Sequence, residues 1–323
     1  MIIILLIGMK ILITGINGFV GSNLSKRWNK YHNLYGLDIF QNTHEGVLQT
    51  FSWDELEKIP HVDTILHLAG KAHDTKNQSL LKNYFVINTG LTKKIFDYFV
   101  KSDTHTFIFF SSVKAAADSV NGDMLTEEVI PSPVSPYGVS KIKAEKYIFD
   151  KMSTFTSRQS DKRVYILRPC MIHGPGNKGN LNLLYSVVKK GIPWPLGAYE
   201  NKRSFCSIDN ITYVVEQLIL SNNIENGIYN VCDDEPLSTN KLISLIGDSV
   251  GKKTHVLMLP KALIRCTASL GSLLHLPLNK ERLRKLTENY VVSNAKIKQV
   301  LGIDKMPVTA EEGMRKTLAS FNK

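Results

Sequence analysis

A short apolar run, Lys10-Ile11-Leu12-Ile13-Thr14, leads directly into glycines at 15, 18 and 21. Glycine at such positions lets the chain turn tightly, lets the backbone approach a pyrophosphate, and lets the next helix pack on the strand. The phosphates then meet a helix N-terminus, where unpaired N–H groups and the helix dipole favour negative charge. Three glycines alone also make an ordinary loop. Here a strand-like run precedes them, and Asp38 closes a second such run about twenty residues on. A carboxylate there can accept hydrogen bonds from ribose hydroxyls and repels a 2′-phosphate, which favours NAD over NADP. Without that context Asp38 would read as a turn residue.

Strand-length apolar runs alternate with longer segments of helical period, which argues for βαβ units and a parallel sheet. Helix is predicted over 18–30, strand over 33–37, buried strand over 64–69, and one long helix over 80–101 around Asn88. A strand over 106–112 ends in Ser111 and Ser112, a helix follows over 137–151, and a strand over 164–168 stops at Pro169. Beyond it, Gly- and Pro-rich segments at 173–180, 191–197 and 233–237 mark crossings into a smaller lobe. The expected fold class is α/β: a Rossmann-type doubly wound parallel sheet with a smaller C-terminal α/β substrate lobe. Residues 1–172 are assigned to the sheet domain, with 206–232 returning to it. Residues 173–205 and 233–323 are assigned to the substrate lobe.

The 323 residues suffice for both parts, and 43% hydrophobic with 21% charged residues is ordinary for a globular chain. The net charge of +11 is spread along the chain rather than gathered in one block. It suits an anionic substrate such as a nucleotide-sugar. No basic stripe interleaved with aromatics is present, so nucleic acid is not expected as a partner. Cys170, Cys206, Cys232 and Cys266 lack ligand spacing, as do the histidines. They read as thiols of a reducing compartment, with no metal expected. Residues 1–8 are apolar but lack the basic start and cleavage site of a signal peptide, and are too short to span a bilayer. They read as an extension ahead of the first strand, with Met9 as a candidate start. A cytoplasmic chain without an integral membrane segment is expected. The segment 257–278 is unusually apolar and precedes a basic run over 280–285. A membrane-docking face competes there with a lobe helix over the substrate. Pro260, Pro277, Lys261 and Arg265 favour the second by breaking a lipid face.

Tyr137 and Lys141 stand four residues apart, one above the other on a helix. An ammonium favours ionisation of a phenol, so Tyr137 can exchange a proton with a sugar hydroxyl near neutral pH. Solvated surface pairs also show this spacing. Ser111 and Ser112, at the end of a buried strand, add a hydroxyl that can hold the reacting oxygen beside the phenol. Lys141 would also bind the nicotinamide ribose. Asn88 either supports the helix and orients water or is a satisfied buried amide.

Together these residues resemble the extended short-chain dehydrogenase/reductases, in the NAD-dependent nucleotide-sugar epimerase branch typified by UDP-galactose 4-epimerase. The likeness spans nearly the whole chain. It takes in the Gly15/Gly18/Gly21 turn, His67-Leu68-Ala69-Gly70, Asn88, Ser111-Ser112 and Tyr137/Lys141. It continues through Arg168-Pro169 and Arg203-Ser204-Phe205, followed by Asp209-Asn210. The resemblance implies Ser112, Tyr137 and Lys141 as the catalytic set. It implies NAD contacts at Gly15, Asn17, Gly18, Phe19, Val20, Gly21, Asp38, Leu68, Ala69, Gly70, Asn88, Tyr137, Lys141 and near Pro169. Substrate contacts would be Lys114, Asn180 and Arg203, with Arg203 on the diphosphate of a UDP-sugar. Arg282 or Arg284 would be a second phosphate contact, and Arg282 is taken. A homodimer through the helices holding Asn88 and Tyr137 is implied as well.

Two departures matter. Val113 and Lys114 stand where related sugar 4,6-dehydratases carry an Asp-Glu pair, which disfavours dehydration. No acidic adenine motif is recognisable in Thr50-Phe51-Ser52-Trp53. Ser-Ser-Val-Lys also resembles a polysaccharide-cluster subgroup that holds both epimerases and 4-keto-sugar reductases. The expected activity is C4 epimerisation of a UDP-hexose or UDP-N-acetylhexosamine for surface polysaccharide synthesis. The alternatives are an NAD(P)H-dependent reductase of a UDP-4-keto-6-deoxy-N-acetylhexosamine and a non-catalytic NAD sensor.

Overall fold

The computed structural model describes residues 8–42, 45–72, 81–177, 179–273 and 279–322. Residues 1–7 of the apolar extension and 274–278 of the apolar segment lie outside the described residues. The strands are β1 (Lys10–Thr14), β2 (Asn33–Leu37), β3 (Val47–Phe51), β4 (Thr64–His67), β5 (Thr106–Phe110), β6 (Arg163–Pro169), β7 (Met171–His173), β8 (Phe205–Ser207) and β9 (Gly227–Val231). The helices are α1 (Phe19–Trp28), α2 (Leu81–Tyr84), α3 (Thr92–Lys101), α4 (Pro136–Met152), α5 (Asn180–Lys189) and α6 (Ile208–Leu220). After them come α7 (Thr239–Ser249), α8 (Lys261–Leu273), α9 (Lys280–Thr287), α10 (Ala295–Leu301) and α11 (Ala310–Ala319).

Among the described residues, seven strands form one parallel sheet in the order β3-β2-β1-β4-β5-β6-β9, and β7 pairs with β8 separately. Strand order reverses between β1 and β4, and such a reversal opens a crevice at the carboxyl ends of the strands. Strands β4 and β5 are buried along their whole length, so both faces of the sheet must be covered by helices. On one face Leu24 and Trp28 of α1 pack with Ile211, Val215 and Leu218 of α6. On the other, Ile95, Phe96 and Phe99 of α3 pack with Ala144 and Ile148 of α4. A separate core joins Leu181 of α5, Ile246 of α7, Ile264 of α8 and Met314 of α11. Tyr290, Val292, Ile297 and Met306 return to the sheet core.

Three predicted elements come out differently. Strand β5 stops at Phe110, because Ser112 leaves the ladder to cap the short turn that follows; its side chain accepts from the Lys114 N–H. Strand β4 stops at His67, so Leu68 to Gly70 are loop rather than strand. The long helix predicted over 80–101 is interrupted by a π-helical segment, Phe85–Leu91. A π turn holds one residue more than an α turn and often marks a functional site. Asn88 lies within it, fully buried. No described helix is long and apolar enough to cross a membrane.

Candidate active site

The ends of β1, β4, β5 and β6 bring their loops to one edge of the sheet. Gly15 follows β1 with φ +70, and a Cβ on it would lie 2.9 Å from the backbone of Ala69. The β1 and β4 loops therefore touch only because residue 15 has no side chain. Helix α1 starts after Gly18 with no side-chain cap and no acidic residue in its first turn. That leaves the first N–H groups and the dipole of α1 available to an anion. Asp38, buried at the end of β2, accepts from the backbone N–H of Asn17 at 3.0 Å and of Ile39 at 2.7 Å. Its carboxylate is thus fixed beside the glycine turn, with lone pairs left for ribose hydroxyls. Asn17 ties the same corner through a bond to the Phe40 carbonyl, 2.7 Å. Phe19 and Val20 form the first turn of α1, and Phe19 abuts Gly174 beyond β7.

Behind this corner runs a buried chain of hydrogen bonds. The Ala69 N–H donates to Thr14 Oγ1 at 3.1 Å, and Thr14 lies 2.6 Å from His67 Nδ1. His67 Nε2 lies 2.9 Å from Thr92 Oγ1, which donates to the Asn88 carbonyl at 2.6 Å. The Thr92 hydroxyl hydrogen is spent on that carbonyl, so His67 donates through Nε2, and a neutral ring then accepts at Nδ1. Burial, with Lys141 adding to it, holds the His67 pKa well below the usual value. Asn88 itself accepts from the Lys71 N–H at 2.7 Å and donates to the Lys71 carbonyl and to Ser140 Oγ. It is a satisfied amide that pins the loop carrying Leu68, Ala69 and Gly70 to α4.

Helix α4 is started by Ser135, whose side chain accepts from the Gly138 N–H, and by Pro136 at its first position. A Cβ on Gly138 would overlap the Lys114 carbonyl, so glycine alone lets α4 approach the turn after β5 this closely. That approach brings Tyr137 to Ser112. Burial pushes the Tyr137 phenol above its usual pKa, a hydrogen bond with Ser112 pulls it down, and Tyr84 pushes it up again. The expectation that Lys141 lowers the phenol is not met. The ammonium instead donates to the Phe110 carbonyl at 2.8 Å, beside Gly70, and sits 4.9 Å from the Phe109 ring centre. Burial lowers Lys141 to about 8, against an opposing effect of Glu145.

Glu145, one turn beyond Lys141, was missed in the sequence. It takes the Ser111 hydroxyl and a two-pronged bond from Arg168, Nε to Oε1 at 3.0 Å and Nη2 to Oε2 at 2.5 Å. The spacing 137/141/145 carries the signal, since a third residue on the same helical face looks inward with the other two. Ser111 therefore serves this ion pair, and Ser112 faces the phenol. Pro169 ends β6 opposite Val231 of β9.

A group of cations gathers next to this set. Lys114 lies 4.1 Å over the Tyr290 ring and donates to the Asp118 carbonyl at 2.7 Å. Burial lowers its pKa, Glu288 and Asp118 raise it, and the charges of Arg203 and Arg284 lower it. Arg203 is itself lowered by burial, opposed by Glu288, and donates to the Lys285 carbonyl. Of the arginines on α9, Arg284 is the one whose charge acts on Lys114. Arg282, chosen from sequence, and Arg284 are both exposed on α9, and the charges of both act on Glu281. Asn180 opens α5 and is exposed. A cavity of about 650 Å³ opens at the opposite end of the strands, lined by Met9, Asp63, His105 and Arg163, and holds none of these residues.

The glycine turn, the bare start of α1 and the Asp38 carboxylate fit a dinucleotide. Residues 11–232 match the model of the NAD dependent epimerase/dehydratase family. The chain is a member of that family. It is 30% identical to the UDP-glucose 4-epimerase of Vibrio cholerae, over 96% of this chain and 95% of that one. It is 24% identical to the N-acetyl-alpha-D-glucosaminyl-diphospho-ditrans,octacis-undecaprenol 4-epimerase of Escherichia coli O157:H7, over 95% and 94%. Its fold matches the UDP-glucuronic acid 4-epimerase of Bacillus cereus in complex with NAD. That likeness has a TM-score of 0.73 at 18% identity and covers 97% and 99% of the two chains. As an epimerase/dehydratase family member the chain is an NAD-dependent enzyme with the family's Rossmann-type sheet.

Proposed function

We propose that this enzyme interconverts the C4 configurations of a UDP-hexose or UDP-N-acetylhexosamine. The observation that carries the reading is the meeting of Tyr137 and Ser112 between the Lys141 ammonium and the cations Lys114, Arg203 and Arg284. Bound NAD supplies the hydride acceptor and later donor for C4. The chain supplies the rest. Tyr137 takes the proton of the C4 hydroxyl and returns it after the 4-keto sugar has presented its other face. Ser112 accepts from the Lys114 N–H and gives its own hydrogen to the Tyr137 oxygen; with sugar bound, that hydrogen turns to the C4 oxygen as negative charge develops there. The phenol needs a cation beside it to ionise against its burial, and Lys141 on the next turn is the chain's own source once its ammonium leaves the Phe110 carbonyl. Lys114, Arg203 and Arg284 hold the diphosphate, with the guanidinium forks giving orientation. Gly15, Asn17, Gly18, Phe19, Val20, Gly21 and Asp38 line the adenosine and pyrophosphate side, and Leu68, Ala69, Gly70, Asn88 and Pro169 the nicotinamide side.

Val113 and Lys114 in place of an acidic pair leave no carboxylate to expel water from C5 and C6, which argues against dehydration. A role in surface polysaccharide synthesis belongs to the same proposal. A homodimer in the cytoplasm is also proposed, and the exposed Leu81, Val86 and Phe149 on the helices around Asn88 and Tyr137 favour that contact. The test is purified protein with no added cofactor, offered UDP-sugars and the undecaprenyl diphosphate-linked N-acetylglucosamine, with NMR readout of C4. Interconversion with copurified NAD is expected. Stoichiometric NADPH consumption with a 4-keto sugar, and no interconversion, would replace the epimerase by a reductase.

A further inference from the structure

Helix α8 meets the rest of the molecule along a narrow strip. Ile264, Ala268 and Gly271 are its buried residues, at the spacing of one helical face. On the same helical wheel Leu263, Cys266 and Leu270 fall together on the outer side, with Ala262 beside them. Leu263 and Leu270 are 52% and 57% exposed, and Met258, just ahead of the helix, is 77% exposed. Pro260 stands before the helix and does not interrupt it. Lys261 and Arg265 share a different stripe, one turn apart, between the outer apolar face and the buried strip. Pro260, Lys261 and Arg265, which argued in the sequence against a continuous apolar face, therefore lie outside it, and Pro277 lies outside the described residues.

Helix α9 adjoins α8, with the Lys280 N–H donating to Ser272 Oγ at 3.0 Å. It contributes Lys280, Arg282, Arg284 and Lys285, and its acid, Glu281, is paired with Lys285. Across 258–287 six lysines and arginines accompany one acid. An outward apolar stripe bordered by cations is the composition that seats a helix in an anionic headgroup layer. A second copy of this chain fits the face poorly, because a two-fold contact sets the same basic border against itself. We propose that the outer face of α8, with α9, docks the small lobe on an anionic lipid surface. Arg203 bonds the carbonyl of Lys285 at the end of α9, so docking places the phosphate-binding cations beside the bilayer.

The test is co-sedimentation of the full chain, without sugar, with vesicles of phosphatidylcholine alone or mixed with phosphatidylglycerol. It does not depend on the C4 reading, since turnover of UDP-sugar is measured separately. Binding to the phosphatidylglycerol vesicles is expected, reduced at least tenfold in phosphatidylcholine alone, at about 0.5 M salt, where screening shortens the reach of charges, and in Leu263→Glu/Leu270→Glu. Turnover of a soluble substrate should be unchanged in that variant. If it is not, Arg265→Glu/Lys280→Glu takes its place, and the same loss is expected. No binding by the wild type, or equal binding by a variant that retains turnover, would overturn the proposal. So would light scattering that shows a dimer dissolved by Leu263→Glu/Leu270→Glu.

Discussion

At the scale of single residues the site sets stability against chemistry. Lys141 is buried among the ends of β4, β5 and α4, and its pKa falls from 10.5 to about 8. Below pH 8 the folded and unfolded chains both hold this proton, and the buried charge is a standing cost. Between 8 and 10.5 only the unfolded chain holds it, so stability should rise with pH across that window. Lys141→Met is expected to raise the melting temperature at pH 7, by the equivalent of about 1–3 kcal/mol, and to abolish the rise. The same variant should lose turnover, as measured by calorimetry and NMR on one sample. Tyr137→Phe should keep the fold and NAD while turnover falls about 10²- to 10⁴-fold, the usual weight of general acid–base catalysis. Unchanged turnover in Tyr137→Phe would remove the phenol from the chemistry.

Elements position these residues through two buried links. The Glu145–Arg168 pair joins α4 to β6, and Arg168 Nη1 has no hydrogen-bond partner. Glu145→Ala would leave a buried guanidinium without its counter-charge and is expected to cost about 3–5 kcal/mol, whereas Glu145→Leu with Arg168→Met should recover most of it. Denaturant midpoints of the three proteins check this. The second link is neutral His67 on β4, bonded to Thr14 and Thr92. Its folded pKa lies well below 6.5, so acid protonates it in the unfolded chain first. Stability should therefore drop as pH falls below about 6.5, and His67→Gln should flatten that limb of a melting-temperature profile. The helix around Asn88 shows what local patterning misses. Its apolar period is continuous, so one helix is predicted, but burial of Asn88 against Lys71 and Ser140 favours a π turn that only the neighbouring elements can dictate.

Across the whole molecule, the sheet core and the small lobe meet at a buried polar knot. Asn210 of α6 donates to Asp233 at 2.7 Å and exchanges bonds with the Val308 backbone, and Asp233 also takes the Ser207 N–H. Asn210→Ala would strand these groups away from water at a cost of about 1–3 kcal/mol. It should raise KM for the sugar while NAD stays bound, a split that titration of each ligand resolves. The glycine spacing, the run ending at Asp38, and the Tyr137/Lys141 interval were readable along the chain, because each depends on contacts within a turn or one strand–helix unit. Which serine faces the phenol and what Lys141 bonds to were decided by packing. Those choices depend on the angle at which distant segments meet, and that angle is fixed by the burial of whole faces rather than by any local interval. The outer face of α8 belongs to the same class: its residues are plain in the sequence, but that they face water follows only from what the rest of the chain leaves uncovered.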